Sequence, residues 1–298
     1  MTDKQMAAQM AGKPGFVAAL DQSGGSTPEA LRLYGIPDTA YNGDAEMFDL
    51  IHEMRVRIMT APAFSGDKVI AAILFERTMD SEISGKPIPS YLWEDRGIIP
   101  LLKVDAGRES ESDGVQLMKP MPKLDPLLER AVKKGIHGTK MRSVVRLPSA
   151  SGIAAIVAQQ FEVAKHIAGY GLTPIIEPEV LISSPDKAGA EAILRDEISK
   201  GLEALPDGVK VMLKLTIPTV ADLYKPLVEH RNVARVLALS GGYTRTDACE
   251  RLKHNKGVIA SFSRALIEEL RVSTTDTELN EALSRAINES YEASVHKA

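Results

Sequence analysis

Short apolar runs alternate with longer amphipathic stretches along nearly the whole chain of 298 residues. An apolar run of about four to eight residues, bounded by Gly, Pro, Asp or Ser, is typical of a buried strand. A regular strand–helix alternation constrains the fold more than any other feature of this sequence. The predicted strands cover residues 16–20, 69–75, 98–104, 138–145, 173–177, 209–215, 233–239 and 258–262.

The spacing of apolar residues predicts helices between these strands and after the last one. The clearest case is residues 152–170, where positions such as Ile153, Ile156 and Ile167 mark one face. The last helix is expected to begin with a capping box formed by Thr275 and Glu278. The predicted helices cover residues 45–59, 125–134, 152–170, 187–205, 220–228, 246–254 and 276–295.

Eight strands, each followed by a helix, predict an α/β chain folded as one (β/α)₈ TIM barrel over residues 1–298, with an extra C-terminal helix. The rival is a doubly wound open sheet, which normally needs fewer strands. It loses support because no Gly-x-Gly-x-x-Gly motif follows the first strand. The polar stretch 103–123 is predicted to be a long loop within the barrel, not a domain boundary.

Charge and composition exclude several classes of protein. The chain carries 36 Lys and Arg against 40 Asp and Glu, a net charge of -4, which argues against nucleic-acid or membrane-surface partners. Residues 1–14 hold no apolar run and predict no signal peptide, and no stretch reaches the roughly 20 apolar residues of a membrane span. We therefore expect a cytosolic protein.

Cysteine and histidine usage gives no sign of a metal site. Cys249 is the only cysteine, so it can form no intrachain disulfide or cysteine cluster, and we expect a small core residue. The six histidines are scattered, without His-x-His or His-Glu-x-x-His spacing. The sequence therefore predicts chemistry without a metal or another cofactor.

Polar residues stand where the predicted strands end, and in such barrels the chemistry lies at the carboxyl ends of strands. Three of them are lysines embedded in apolar runs. Any one of these lysines could be an ordinary surface residue whose stem is buried, but three in matching register indicate a site. In chain order these residues are Asp21, Glu76, Lys103, Lys140, Arg142, Glu177, Lys214, Ser240 and Arg264.

Clustered lysines suggest a specific reaction. An isolated lysine has a pKa of ~10.4, and a second cation at about 6 Å lowers such a pKa by roughly two units at an effective dielectric near 20. Burial lowers it further, and the neutral amine can then form a Schiff base with a carbonyl substrate. Asp21 and Glu177 could move the protons that imine formation requires. Position alone does not say which lysine is the nucleophile.

Glycine-rich turns suggest phosphate groups at both ends of the substrate. Ser240-Gly241-Gly242 follows the seventh strand and the segment 261–264 follows the eighth, where this fold commonly binds phosphate. Ser-Gly-Gly alone would predict only a turn, but Arg264 adds a fork of donors. Ser23-Gly24-Gly25-Ser26 suggests a second anion cradle, with Lys103 across from it.

As a set, these motifs resemble the class I (Schiff-base) fructose-bisphosphate aldolases in their shorter bacterial form, from Phe16 to about Leu266. The resemblance implies the same barrel and reversible, metal-free cleavage of fructose 1,6-bisphosphate to dihydroxyacetone phosphate and glyceraldehyde 3-phosphate. The motifs are Ala-Leu-Asp-Gln-Ser-Gly-Gly-Ser, Ile-Leu-Phe-Glu, Leu-Leu-Lys-Val-Asp, Lys-Met-Arg, Ile-Glu-Pro-Glu, Met-Leu-Lys and Leu-Ser-Gly-Gly.

The resemblance also implies a role for each catalytic residue. Lys214 matches the Schiff-base lysine, and Lys140 its cationic neighbour. Glu177 matches the general acid and base for carbinolamine dehydration and for the C4 hydroxyl. Asp21 matches the carboxylate that orients the substrate and assists carbon–carbon cleavage, and Glu179 a supporting acid.

Phosphate binding is implied at two places, with some departures from the animal-type pattern. Gln22 stands where the animal-type enzymes have Glu, Leu215-Thr216 where they have Pro-Asn, and Ser263 where they have Gly. Their functional C-terminal Tyr has no counterpart at Ala298, and Tyr291 is the last tyrosine. The C6-phosphate side is implied to be Ser23, Ser26, Lys103 and Arg142, and the C1-phosphate side Ser240, Gly241, Gly242, Ser261 and Arg264.

Two alternatives stay open beside an aldolase. One is another Schiff-base phosphosugar lyase or a transaldolase, and the other is a phosphosugar-binding barrel without catalysis. The lysines and two carboxylates argue against a mere binder, which needs no neutral amine. A homo-oligomer is compatible with the sequence, which leaves oligomeric state and the choice between fructose 1-phosphate and the bisphosphate open.

Overall fold

Eight parallel strands form a closed ring in the computed structural model, which describes residues 2–298. Each strand pairs with its two neighbours, and the ring closes because the third strand pairs with both the second and the fourth. This architecture confirms the predicted (β/α)₈ barrel. The strands are β1 (Phe16–Leu20), β2 (Val69–Leu74), β3 (Ile99–Lys103), β4 (Gly138–Val145), β5 (Thr173–Val180), β6 (Val211–Thr216), β7 (Val233–Leu239) and β8 (Val258–Phe262).

Helices surround the ring, and eight of those in residues 2–298 are nine residues or longer. They are α1 (Thr2–Gly12), α2 (Ser26–Tyr34), α3 (Gly43–Thr60), α4 (Leu124–Lys133), α5 (Ala150–Ala168), α6 (Lys187–Glu203), α7 (Arg245–Lys253) and α8 (Asp276–Val295). The C-terminal α8 begins with the predicted capping box. Short helical turns cover Asp38–Ala40, Glu76–Asp80, Ile88–Ser90, Tyr91–Asp95, Lys225–Val228 and Arg264–Ile267.

Three segments differ from their prediction by more than two residues or in their structure. The helix predicted over residues 220–228 is only the turn Lys225–Val228, because Asp222 has a left-handed φ of 59° and is tied to the loop before β8, where the backbone N–H of Lys256 donates to Asp222 Oδ1 at 2.7 Å. Strand β5 continues past Glu177 to Val180, since its last residues keep pairing with β4. The predicted loop 103–123 contains a two-residue strand, Val115–Gln116, antiparallel to the end of β4.

Helix α1 closes the amino end of the barrel, and the sequence analysis missed it. Met6 and Met10 lie one turn apart and are buried against the side chains that fill the barrel interior. Gln9 Nε2 donates to the carbonyl oxygens of Ile70 and Gly97, each at 2.9 Å. With this end covered, the barrel interior opens at the carboxyl ends of the strands.

Strand parity directs the polar residues into the barrel. Side chains alternate between the two faces of a strand, so positions two residues apart point the same way. Ile175 of β5 and Met212 of β6 fill the interior, which places Glu177 and Lys214 on the same inward face one layer higher. By the same parity, Lys103 lies on the inward face of β3, two residues after the interior Leu101. The apolar core therefore ends where a polar layer begins.

Candidate active site

A cavity of about 870 Å³ opens at the carboxyl end of the barrel. All the predicted site residues line it except Gly242, and a Cβ added to Gly242 would lie 3.4 Å from Arg264 Nη2, so this glycine is adjacent. The predicted residues on its wall are Asp21, Ser23, Ser26, Lys103, Lys140, Arg142, Glu177, Glu179, Lys214, Ser240, Gly241, Ser261 and Arg264.

Four charged side chains alternate at the base of this cavity. Lys140 Nζ lies 2.8 Å from Asp21 Oδ2 and 2.8 Å from Glu177 Oε2. The other oxygen of this carboxylate, Glu177 Oε1, lies 2.9 Å from Lys214 Nζ. All four side chains are less than a tenth exposed. The order carboxylate, ammonium, carboxylate, ammonium gives every buried charge an opposite neighbour.

This arrangement changes the acidity of the buried groups. Burial alone would lower the pKa of Lys140, but Asp21 and Glu177 outweigh burial and raise it well above the ordinary lysine value. Burial alone would raise the pKa values of both carboxyls, but Lys140, followed by Lys214, outweighs it and leaves both pKa values lowered. Lys140 is therefore held protonated, which agrees with the cationic neighbour that the resemblance implied, and it is not the neutral amine that the clustered lysines predicted for one of the three.

A buried glutamine that the sequence analysis missed fixes the position of Glu177. Gln160 of α5 accepts a hydrogen bond from the backbone N–H of Glu177 at 2.8 Å, and its Nε2 donates to Ser143 Oγ of β4 at 2.9 Å. Its side chain is fully buried between helix and sheet. The available signal was its spacing, since Gln160 lies on the apolar face of α5 together with Ile153 and Ile156.

On the β3–β4 side, the two predicted phosphate-binding cations already have partners. Lys103 Nζ lies 2.8 Å from Asp105 Oδ1, and Arg142 forms an ion pair with Glu179. Asp105 also lines the cavity and was not assigned a role from the sequence, although it belongs to the motif Leu-Leu-Lys-Val-Asp. Both predicted cations are therefore neutralised within the protein itself.

On the β7–β8 side, backbone and side chains leave donors free for an anion. Gly241 and Gly242 have φ angles of 61° and 114°, in the left-handed region that favours glycine. A Cβ on Gly241 would also come within 2.8 Å of the Ile182 side chain. Within the described residues, the buried Ser261 Oγ has no hydrogen-bond partner. Arg264 at the rim pairs with Glu29 at 2.7 Å.

The turn after β1 is fixed by two residues that depart from the animal-type pattern. Gln22 Nε2 donates to Ser263 Oγ at 2.8 Å, which joins this turn to the loop after β8. Ser26 Oγ donates to the carbonyl oxygen of Ser23 at 2.9 Å and begins α2. Beneath the turn, the guanidinium of the fully buried Arg55 donates to the carbonyl oxygen of Gln22. Arg55 was not identified from the sequence.

Three further residues considered from the sequence, Tyr291, Cys249 and Glu76, do not lie among the four charged groups at the base of the cavity. Tyr291 packs on Lys68, whose Nζ lies 5.4 Å from its ring centroid, just before β2 at the opposite end of the barrel. Burial raises the pKa of Cys249 to about 11, which fits the predicted core role. Glu76 lies on the cavity wall and pairs with Arg130.

Across residues 2–298, no group of three or more His, Cys, Asp or Glu side chains could hold a metal ion, and no helix is long and apolar enough to cross a membrane.

Comparison with solved structures supports the same architecture. An aldolase from Plasmodium falciparum, solved with TRAP and a small-molecule inhibitor, superposes with a TM-score of 0.81 at 19% identity, over 100% of this chain and 95% of that one. A structural-genomics target from Corynebacterium glutamicum gives 0.58 at 14% identity, over 98% and 92%. At these identities the likeness shows the fold.

Sequence comparison identifies the family. The sequence model "Fructose-bisphosphate aldolase class-I" matches residues 5–214. The class 1 fructose-bisphosphate aldolase of Synechocystis sp. is 56% identical over 287 residues, 96% of each chain. That of Porphyromonas gingivalis is 54% identical over 293 residues, 98% of this chain and 99% of its own. The chain belongs to the class I fructose-bisphosphate aldolases.

Proposed function

We propose that this protein reversibly cleaves fructose 1,6-bisphosphate to dihydroxyacetone phosphate and glyceraldehyde 3-phosphate through an imine on Lys214. The contact between Glu177 and Lys214 Nζ carries the proposal. A binding barrel would need no lysine amine in direct contact with a buried acid at the base of its cavity. Here the carboxylate can take the proton of this amine and return it to the substrate.

Imine formation begins with a proton transfer across that contact. Glu177 is ionised in the free enzyme, because its lowered pKa lies below neutral pH. It takes a proton from Lys214, and the neutral amine attacks the C2 carbonyl carbon to form a carbinolamine. Glu177 then gives the proton to the carbinolamine hydroxyl, which leaves as water. The protonated imine is formed, and the carboxylate is regenerated.

The protonated imine is the electron sink for the cleavage step. Glu177 removes the proton of the C4 hydroxyl, and the C4–O bond becomes the aldehyde of glyceraldehyde 3-phosphate. The electron pair of the C3–C4 bond moves into a C2–C3 double bond and neutralises the imine nitrogen as an enamine. C3 then takes the proton that Glu177 removed from the C4 hydroxyl, and water hydrolyses the resulting protonated imine to release dihydroxyacetone phosphate and Lys214. Asp21 orients the substrate for this step, and Glu179 supports the site through its pair with Arg142.

Lys140 would keep the two carboxylates ionised while this chemistry proceeds. It contacts both, at 2.8 Å each, and its raised pKa keeps it cationic at neutral pH. The two phosphates would bind at two places on the wall of the opening: Lys103 and Arg142 lie across from Ser240, whereas the turn with Ser23 and Ser26 lies next to the loop after β8. The C1-phosphate side is Ser240, Gly241, Gly242, Ser261 and Arg264, and the C6-phosphate side is Ser23, Ser26, Lys103 and Arg142.

The imine supplies the electron sink, so the proposed reaction uses no metal and no other cofactor. The partner is a small phosphosugar, and neither nucleic acid nor membrane takes part. We expect the enzyme to work in the cytosol as one catalytic unit spanning the chain, and a homo-oligomer is compatible with this reaction.

Reductive trapping tests the proposal directly. The protein is mixed with dihydroxyacetone phosphate, reduced with borohydride and digested, and the modified peptide is identified by mass spectrometry. We expect the adduct on Lys214. Lys214→Ala should give neither adduct nor turnover, and Lys214→Arg should fail equally, since a guanidinium stays protonated and forms no imine.

Lys103→Met is the matched control, because it also removes a lysine from the cavity wall. It should keep the adduct on Lys214 and lose affinity mainly for substrates phosphorylated at C6. An adduct on Lys103 or Lys140 in the unaltered protein would contradict the proposal. Binding of phosphosugars without any adduct would favour the non-catalytic barrel, and cleavage of a different phosphosugar alone would favour another Schiff-base lyase.

A further inference from the structure

Three cationic side chains at the lip of the cavity formed by β3, β4 and the loop between them form ion pairs with carboxylates, and a fourth does not. Lys103 pairs with Asp105, Arg142 with Glu179, and Arg146 with Glu111 at 3.1 Å. The fourth cation is Arg108. Among residues 2–298, no carboxylate lies within ion-pair distance of its guanidinium, and its side chain makes one long hydrogen bond, from Nη1 to Gln116 Oε1 at 3.4 Å.

Arg108 stands on an ordered part of the loop. Its backbone forms an antiparallel bridge with Met118, and Lys119 N donates to the carbonyl oxygen of Gly107 at 3.0 Å. Met118 is in turn held from both sides by Gln159 of α5, which accepts from its N–H at 2.9 Å and donates to its carbonyl oxygen at 3.0 Å. The Arg108 side chain therefore lines the cavity on a loop that is already ordered, so binding an anion would not require the loop to become ordered first.

The surroundings of Arg108 favour an incoming anion. Burial and the neighbouring guanidiniums of Arg142 and Arg146 lower the pKa of Arg108, and the nearby carboxylates of Glu179 and Asp105 only partly offset them. Each of those carboxylates is already occupied by another cation. A phosphate dianion would relieve this repulsion, and a guanidinium can hold it through two parallel hydrogen bonds.

Arg108 also lies on the correct side for the second phosphate. In the ring, two strands separate β4 from β7, and two separate β3 from β8. The β3–β4 lip therefore faces the Ser240–Arg264 side across the opening. We propose that Arg108 binds the C6 phosphate of the substrate and so determines the preference for a bisphosphate over a sugar phosphorylated only at C1. This inference rests on the proposed function.

Steady-state kinetics with two substrates test it. Arg108→Ala and the polar, better size-matched Arg108→Gln are compared with the unaltered enzyme on fructose 1,6-bisphosphate and on fructose 1-phosphate. A lost charge-assisted contact at a partly exposed site corresponds to about a tenfold fall in kcat/KM for the bisphosphate. We expect this fall to come from a rise in KM, with kcat/KM for fructose 1-phosphate changed less than twofold, because that substrate has no C6 phosphate.

Arg146→Ala is the matched control. It removes a neighbouring arginine from the same lip, but Arg146 is paired with Glu111 and does not line the cavity. In Arg146→Ala, kcat/KM for the bisphosphate should change less than twofold. An unchanged KM in both Arg108 variants overturns the inference, as does an equal loss on both substrates or an equal loss in Arg146→Ala.

A failure of the proposed function would look different. The unaltered protein would then form no borohydride adduct and cleave neither substrate. In that case the inference is judged by calorimetric binding of the bisphosphate to the unaltered protein and to Arg108→Ala. About tenfold weaker binding in the variant supports Arg108 as the phosphate ligand, and equal or undetectable binding overturns it.

Discussion

Replacing Lys140 by Met removes the cation that contacts both active-site carboxylates and keeps most of the side-chain volume. At 2.8 Å and an effective dielectric near 20, each of its two ion pairs has a gross attraction of about 6 kcal/mol. Desolvation of the buried ions cancels much of this attraction. Without this cation, Glu177 keeps one ion pair, with Lys214, and Asp21 keeps none. We therefore expect the free energy of unfolding at pH 7 to fall by about 3–5 kcal/mol.

The loss should depend on pH in a defined direction. In the unaltered protein the pKa values of Asp21 and Glu177 are lowered on folding. A carboxyl group with a lowered pKa stabilises the fold above its ordinary value near 4, and this stabilisation is lost as the pH falls through the lowered value. The difference between the unaltered protein and Lys140→Met should therefore be full between about pH 5 and 8 and narrow below about pH 4.

Urea unfolding at several pH values, followed by circular dichroism, measures this difference. Lys103→Met is the control. Lys103 contacts a single carboxylate, so this replacement should lower the free energy of unfolding less than Lys140→Met does. Borohydride trapping on the folded variant should still modify Lys214, but more slowly. A loss below about 1 kcal/mol at pH 7, or a difference that stays constant down to pH 3, would refute the account of Lys140 as the cation that holds both carboxylates ionised.

Two further predictions concern the phosphate and the absence of a metal from the proposed reaction. Arg264→Ala should raise KM for the bisphosphate about tenfold by removing a charge-assisted contact, and the imine should still be trapped at high substrate concentration. Glu29→Gln should lower KM, because it frees Arg264 from its 2.7 Å ion pair. An unchanged KM in Arg264→Ala would mean that Ser240 and backbone N–H groups bind the C1 phosphate without Arg264. Prolonged chelator treatment should leave the cleavage rate unchanged, and a loss of activity restored by zinc would argue against the imine mechanism.

Strand positions and strand parity were accessible from the sequence because they depend on local patterns. The bounds of β1, β4, β7 and β8 match the predicted ranges, since each is a continuous apolar run between turn residues. Once these strands form a barrel, polar residues that follow inward-facing apolar residues must line its opening. The assembly of the predicted residues around one cavity follows from this local information, whereas their catalytic and binding roles stay predictions.

Contacts between distant segments were not accessible in the same way. The sequence predicted lysines next to lysines, because the register of β4, β5 and β6 depends on contacts that it does not show. In the structure Glu177 lies between Lys140 and Lys214. Likewise, Arg108 carries no signal in a polar loop until its pairing with Met118 is known. The short polar segment of α1 became recognisable only where Met6 and Met10 fill the barrel end.

The alternation of charge along Asp21, Lys140, Glu177 and Lys214 bears on the first proton transfer of the proposed mechanism. The two carboxylates and two ammonium groups sum to zero, and transfer of a proton across the 2.9 Å contact from Lys214 to Glu177 leaves that sum unchanged. No net charge has to enter or leave the buried base of the cavity. The transfer also turns Glu177 into the acid that the next step needs. In the proposed mechanism the same pair of atoms would therefore set the state of the nucleophile and store the proton that removes water from the carbinolamine.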